Sequence, residues 1–143
     1  MPGPKEFSIS VDIAAAPDRV WEVMKDVAHW HEWTSSVTNI RKMGRGPLGV
    51  GSRMLIRQPK LPASLWKITD VRDGQGFTSV TGTPFMRVTA QHTVRPSAGG
   101  TTVTLSVRFS GLLGSLVAQW TSSLNERYLG LEAAGLKKRC EGR

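Results

Sequence analysis

Cysteine is almost missing from this chain: Cys140 is the single one in 143 residues. One thiol excludes an internal disulfide framework and any all-cysteine metal site. Acidic residues are also scarce, 11 against 19 lysines and arginines, which leaves a formal charge of +8 and a pI near 10.4. No apolar run approaches the roughly 18 residues of a membrane span. The first residues, MPGPKE, contain no apolar signal core, so a soluble cytoplasmic protein is expected. Internal repeats, low-complexity stretches and interdomain linkers are lacking too. The expectation is one domain over residues 1–143, with 1–5 and 140–143 frayed. A chain of this length buries roughly 68–70% of its unfolded surface and needs no staple.

What is present is strong periodicity. Phe7, Ile9, Val11 and Ile13 alternate with Ser8, Ser10 and Asp12, the pattern of a strand with one buried face. A helix is expected to begin around Pro17, with Asp18 suiting its positive end and Val20, Val23, Met24 and Val27 forming its apolar stripe. Asp26 is placed to cap a second short helix ending near Trp33. Six further strands are expected over 36–42, 52–58, 64–72, 76–82, 86–95 and 101–110, separated by glycine, proline and Asp-Gly turns. Connections this short make an antiparallel meander. The tail reads as one helix over about 112–139, with Leu113, Val117, Trp120, Leu124, Tyr128, Leu131 and Gly135 on one face. At 1.5 Å per residue it is about 42 Å long.

These elements define an α+β fold. A seven-stranded antiparallel sheet has one apolar face to cover, and the long helix is the only element able to cover it. Twist curls the sheet around that helix, and the two short helices after strand 1 close one end. The space left between sheet and helix is a natural ligand cavity.

The same residues carry a family resemblance. The segments are IAAAPDRVW over 13–21, DVAHWHEW over 26–33, GPLGVG over 46–51 and RYLGLE over 127–132. They resemble the START-like (SRPBCC, helix-grip) superfamily, in particular its bacterial polyketide cyclase/dehydrase-type branch. That superfamily includes polyketide cyclases/dehydrases, lipid-transfer domains and relatives of the birch-pollen allergen. The resemblance spans nearly the whole chain and implies the helix-grip fold. His31 departs from it, since many relatives carry proline between the two tryptophans. A fold shared by enzymes and carriers does not by itself choose between them.

Strand parity predicts the cavity wall. Met54, Ile56, Trp66, Ile68, Phe77, Met86, Val88 and His92 fall on the inward set. The helix is expected to add Leu116, Trp120 and Leu124, and the short-helix end Trp33. Trp33, Trp66 and Trp120 are core residues or a stacking platform for a flat ligand, whereas Trp21 and Trp30 read as helix packing. Arg53, Arg57, Lys67, Arg87, Arg95 and Arg108 fall on the outward set. The interior is therefore expected to be apolar, with His92 its only ionisable strand residue.

His92 is the residue suited to proton transfer at neutral pH. The plainer alternative is a core histidine satisfied by a neighbouring hydroxyl. His29, His31 and Glu32 do not make a metal site, because helix positions two apart diverge. Residues 44–49 match G-x-G-x-x-G, but a strand follows where the dinucleotide fingerprint needs a helix. No cofactor and no metal are called for. Cys140 reads as a spectator thiol in a basic tail. From Trp33 to Thr69 the chain has seven cations and no acid. No aromatic residues interleave with those cations on the outward parity of the strands, so a solvated face is expected before a nucleic-acid or anionic-membrane partner.

Three functions remain open at this point. The first is binding or transport of a hydrophobic small molecule such as a lipid, polyketide or aromatic compound. The second is a polyketide cyclase, aromatase or dehydratase using His92 as its acid–base group. The third is an interaction module with an acidic partner on the convex sheet face.

Overall fold

The computed structural model describes residues 5–44 and 46–142. Strand β1 (Lys5–Ile13) leads to helix α1 (Pro17–Lys25) and a 3-10 helix (Val27–Glu32). The strands β2 (Asn39–Met43), β3 (Arg53–Arg57), β4 (Ser64–Arg72), β5 (Gly76–Thr83), β6 (Met86–Ser97) and β7 (Gly100–Ser110) follow. Helices α2 (Gly114–Trp120) and α3 (Ser122–Cys140) complete the chain. All seven strands join one antiparallel sheet in the order β1-β7-β6-β5-β4-β3-β2. This is the helix-grip architecture expected from the strand pattern.

Period two holds along almost every strand. On β6 and β7 the buried residues are Val88, His92, Val94, Thr101, Val103, Leu105 and Phe109, and the residues between them are more exposed. On β4 the register shifts between Ile68 and Asp70. The bulged residue, Thr69, turns Val71 inward beside Phe77, against simple alternation. The six cations assigned to the outward parity, Arg53, Arg57, Lys67, Arg87, Arg95 and Arg108, are all exposed.

Helix α1 starts as its sequence suggests, with Pro17 in the first turn and Asp18 at the positive end. Its buried face is Val20, Trp21 and Met24, and the Trp21 indole donates to Asp73 Oδ1 at 3.0 Å. Asp26 does not cap the 3-10 helix with its side chain. It takes the His29 imidazole instead, at 2.8 Å.

The C-terminal segment is not one continuous helix. Thr121 lies between α2 and α3 with non-helical φ −104° and ψ 12°. Its hydroxyl donates back to the Val117 carbonyl at 2.7 Å, and the Asn125 amide donates to that hydroxyl at 2.9 Å. The backbone bonds from Thr121 N–H to the Val117 carbonyl and from Asn125 N–H to the Thr121 carbonyl persist across the junction, so the two helices meet at a bend in the backbone. The break rotates the buried face by about one position. It runs through Gly114 and Ala118 on α2, then Tyr128, Ala133, Leu136 and Cys140 on α3.

Cys140 is correspondingly the buried last residue of α3, not part of a frayed tail. Burial pushes its thiol up to about 11, which keeps it protonated and inert at neutral pH. Lys5 likewise sits in β1 rather than in a frayed end, while 1–4 and 143 lie outside the described residues. No helix among the described residues is long and apolar enough to cross a membrane.

Helix α3 meets the rest of the molecule most closely at Gly135. A Cβ there would lie 1.8 Å from the Trp33 carbonyl oxygen. Gly130, on the same helix, has nothing within 4 Å of the equivalent point. Gly135→Ala is therefore expected to destabilise by about 1–3 kcal/mol despite alanine's better helix propensity. Gly130→Ala should gain up to about 1 kcal/mol. Urea unfolding of both variants checks the pair, and equal responses would refute the close approach.

Candidate functional site

The C-terminal third of α3 is core: Ala133, Leu136 and Cys140 pack with Ile13, Trp21 and Val103. Before that point the helix stands away from the sheet. The gap is a cavity of about 510 Å³. Its roof is Thr121, Asn125, Tyr128, Leu129 and Glu132, and its floor comes from the inward residues of β3 to β7. The size lies within the roughly 300–1,000 Å³ range of small-molecule pockets.

Six of the residues expected at the wall line this cavity: Met54, Ile56, Trp66, Met86, Val88 and His92. Six do not. Ile68 and Phe77 are fully buried, packed into the core cluster. Trp33 packs against that cluster beside Trp30, ring centroids 5.9 Å apart. Leu124 lines a separate, smaller cavity with Pro59, Lys60, Arg127 and Leu131. Leu116 and Trp120 are 51% and 80% exposed, because α2 packs on the sheet through Gly114 and Ala118 instead.

Two side chains of the cavity wall fall outside the residues that the sequence pattern picks out. Trp30 lines the cavity, with its indole donating to the Met24 carbonyl at 2.9 Å. Glu132 is the other, an inward carboxylate on α3. It was hidden by the choice of helix face, since the continuous stripe through Leu124, Tyr128 and Leu131 puts position 132 off the sheet. The signal available was a lone glutamate within the alternative stripe Tyr128, Leu129, Ala133, Leu136 and Cys140.

His92 and Glu132 meet inside the cavity. His92 Nε2 lies 3.2 Å from Glu132 Oε1, and their side chains are only 9% and 13% exposed. The imidazole is stacked on Phe77 at 4.5 Å between centroids, and Trp30 flanks it at 5.1 Å. Nδ1 is buried and has no hydrogen-bond partner. An ionised carboxylate can only accept, so the hydrogen-bond network assigns the proton to Nε2 and leaves Nδ1 bare. A bare acceptor among aromatic rings costs less than a second buried N–H without an acceptor would add. The cavity therefore holds one carboxylate fixed by one imidazole donor. Its other ionisable lining group is Tyr128, whose hydroxyl donates to the Pro59 carbonyl. No lysine or arginine among the described residues lines it.

The two remaining histidines are elsewhere. His29 is held above its usual value by the hydrogen bond to Asp26. Glu32 is held below its usual range by the hydrogen bond from Arg139, at 2.8 Å. These are surface ion pairs around the exposed His31.

Comparison with known proteins matches the family described as polyketide cyclase / dehydrase and lipid transport over residues 4–141. The chain belongs to this family. No curated protein matches it. Among solved structures, TTHA0849 from Thermus thermophilus is similar with TM-score 0.76 and 18% identity, covering 95% of this chain and 97% of that one. The Zhui aromatase/cyclase from a Streptomyces species is similar with TM-score 0.74 and 14% identity, covering 96% and 94%. The di-domain ARO/CYC StfQ, from the steffimycin biosynthetic pathway, has TM-score 0.74 and 13% identity, with 97% of this chain matching 51% of that one. At these identities the likeness is one of fold. In this polyketide cyclase/dehydrase-family chain the cavity sits where the helix-grip fold makes room between sheet and α3.

The tautomer is directly measurable. Imidazole ¹⁵N–¹H correlation spectra should show His92 protonated at Nε2 alone at neutral pH. In Glu132→Ala the single-tautomer signature should disappear. A wild-type spectrum with the proton on Nδ1 would contradict the assignment.

Proposed function

We propose that the protein binds a flat, uncharged, hydrophobic small molecule in the cavity, with its polar end at the His92–Glu132 pair. The observation that supports this most is the lining itself. A cavity of about 510 Å³ with no lysine or arginine among its described lining residues has aromatic surface at Trp30, Trp66 and Phe109, an acid–imidazole pair in His92 and Glu132, and uncharged polar groups such as Ser79, Thr121 and Asn125. Apolar walls supply the affinity and a few convergent polar groups fix the orientation. A strongly anionic ligand would find no counter-charge inside, and Glu132 would repel it.

Glu132 engages His92 through Oε1. Its second oxygen is then the acceptor offered to a hydroxyl or acidic C–H of the bound molecule. Leu105, which pairs with His92 across β6 and β7, and Trp30 and Phe77, which flank the imidazole, put apolar surface beside that end, so a hydrogen bond to Glu132 forms with little competition from water.

Ligand binding is tested by thermal denaturation against a panel of fatty acids, phospholipids, quinones and aromatic polyketides. At least one apolar member should raise the melting temperature. Ala90→Phe, which fills the cavity from β6, should abolish that shift without unfolding the protein. A panel with no effect on the wild type would defeat the proposal.

The His92–Glu132 contact favours a second reading, acid–base catalysis on the bound molecule. The family description and the aromatase/cyclase neighbours point to cyclisation or dehydration of a poly-β-ketone. In such a reaction Glu132 takes a proton beside a carbonyl. His92, protonated at Nε2, holds the carboxylate in place and stabilises its charge. Both His92→Ala and Glu132→Gln should then lower kcat by about 10²–10⁴-fold. Retention of turnover in either variant would leave binding as the only role.

A further inference from the structure

The floor of the cavity is uneven, and the pairing of β5, β6 and β7 sets its shape. Phe77, His92 and Leu105 stand opposite one another across the three strands and form one inward row. Thr81, Val88 and Phe109 form another. The row between them is Ser79, Ala90 and Val107. Its side chains are small, so a bound molecule can approach the sheet most closely there. Ser79 lines the cavity and is only 3% exposed.

Ser79 differs from the hydroxyls around it. Thr81 donates to the Leu65 carbonyl and Thr121 to the Val117 carbonyl, each at 2.7 Å, and Ser36 shares a hydrogen bond with Thr34. The Tyr128 hydroxyl donates to the Pro59 carbonyl. The Ser79 hydroxyl has no hydrogen-bond partner among the described residues. Its oxygen is not sealed inside the protein, as His92 Nδ1 is, but opens onto the cavity. A polar group so enclosed takes its partner from whatever occupies the space in front of it.

Strand register fixes how far this hydroxyl lies from the acid–imidazole pair. Ser79 pairs with Ala90, two residues before His92 on β6. It is therefore the diagonal neighbour of His92 on the same face, about 7–8 Å away. The two polar points differ in chemistry. An ionised Glu132 can only accept, and the Nε2 proton of His92 is already directed at it. The Ser79 hydroxyl is free to donate. A flat molecule with a hydroxyl at one end and a carbonyl oxygen further along satisfies both. Hydrocarbon at the second point would leave the serine unpaired, which a hydrogen-bonding site penalises. We propose that Ser79 is a specificity-determining residue and that the ligand is an aromatic hydroxyketone, its hydroxyl on Glu132 and its carbonyl accepting from Ser79 Oγ. The proposal rests on ligand binding in the cavity and adds a second point of recognition to it.

The test uses two probes of one skeleton, 6-hydroxy-1-tetralone and 5,6,7,8-tetrahydro-2-naphthol, which differ only in the carbonyl. Both are uncharged at mildly acidic pH. Calorimetric titration of the wild type should show the hydroxytetralone bound about three- to tenfold more tightly than the tetrahydronaphthol. In Ser79→Ala that preference should vanish through weaker binding of the hydroxytetralone, with affinity for the tetrahydronaphthol unchanged within about twofold. The substitution removes an unpaired hydroxyl, so the melting temperature of the free variant should not fall. Equal affinity of the wild type for the two probes, or an undiminished preference in Ser79→Ala, would overturn the proposal. A lowered melting temperature with equal loss of both probes would overturn it in favour of a structural serine. If the wild type binds neither probe yet is stabilised by other members of the apolar panel, this proposal fails and ligand binding stands. A panel without effect removes both.

Discussion

The contact of α3 with the Trp33 carbonyl at Gly135 governs much of the rest of the molecule. It brings the helix backbone against the end of the 3-10 helix, where no side chain fits between them. From there to the C-terminus the helix is core, with Ala133, Leu136 and Cys140 at 3%, 1% and 6% exposure. Towards its N-terminus the same helix leaves the sheet and becomes a roof. A seven-stranded sheet curls too strongly for a straight helix to follow it along its full length. Pinning the helix at one end therefore opens the other, and the cavity is a geometric consequence of that one tight contact.

The His92–Glu132 pair depends on the same pin. Glu132 lies three residues before Gly135, about one turn away, so the position of the contact sets where the carboxylate projects. His92 is fixed from the sheet side by an equally close approach. A Cβ at Gly76 would lie 2.1 Å from the His92 carbonyl oxygen, and Gly76 adopts φ +152° to allow it. The stacking of the imidazole on Phe77, one residue further along β5, follows from that register. Two glycines on different elements thus bring an acid and an imidazole together within a largely apolar space. Enclosure limits the competition of water for the 3.2 Å contact between them.

The fold was legible because alternation and turn residues are local signals. Phe7 to Ile13 or Val103 to Phe109 announce their buried face without reference to any other part of the chain. The site was half legible for the same reason. Residues placed by strand parity, such as Met54, Trp66, Val88 and His92, line the cavity, whereas those placed by helix phase do not. Leu113, Val117, Trp120 and Leu124 make a credible stripe in the sequence, but α2 packs through Gly114 and Ala118, one position away, and Thr121 separates it from α3. An error of one position in phase placed Trp120 in the interior, although it is on the surface, and took Glu132 off the wall that it lines. Phase in a helix is cumulative, while parity in a strand resets at every turn, so the helix readings carried the errors. Burial depth was not legible at all. Ile68 and Phe77 share the inward parity of the lining residues, and only packing against Met24 and Trp30 separates core from cavity wall.

The charge distribution follows from the same division of labour. Between Glu32 and Glu126 the only acidic residues are Asp70 and Asp73, so most of the sheet is cationic outside and neutral inside. The first terminal segment and α3 hold the remaining acids, and several are engaged: Glu32 with Arg139, Glu141 with Lys137, Glu132 with His92. Glu141 accepts from the Ala14 N–H and Glu32 accepts from Arg139, so these two carboxylates tie the C-terminus to the first part of the chain around the close contact of α3. The outward cations are not all unopposed, since Glu6 stands across from Arg108 between β1 and β7. Glu132 is the exception among the acids of the C-terminal segment, because its partner is on the sheet and it lines the cavity. The helix that is held in place by acids at its end thus carries one further acid into the space it leaves open.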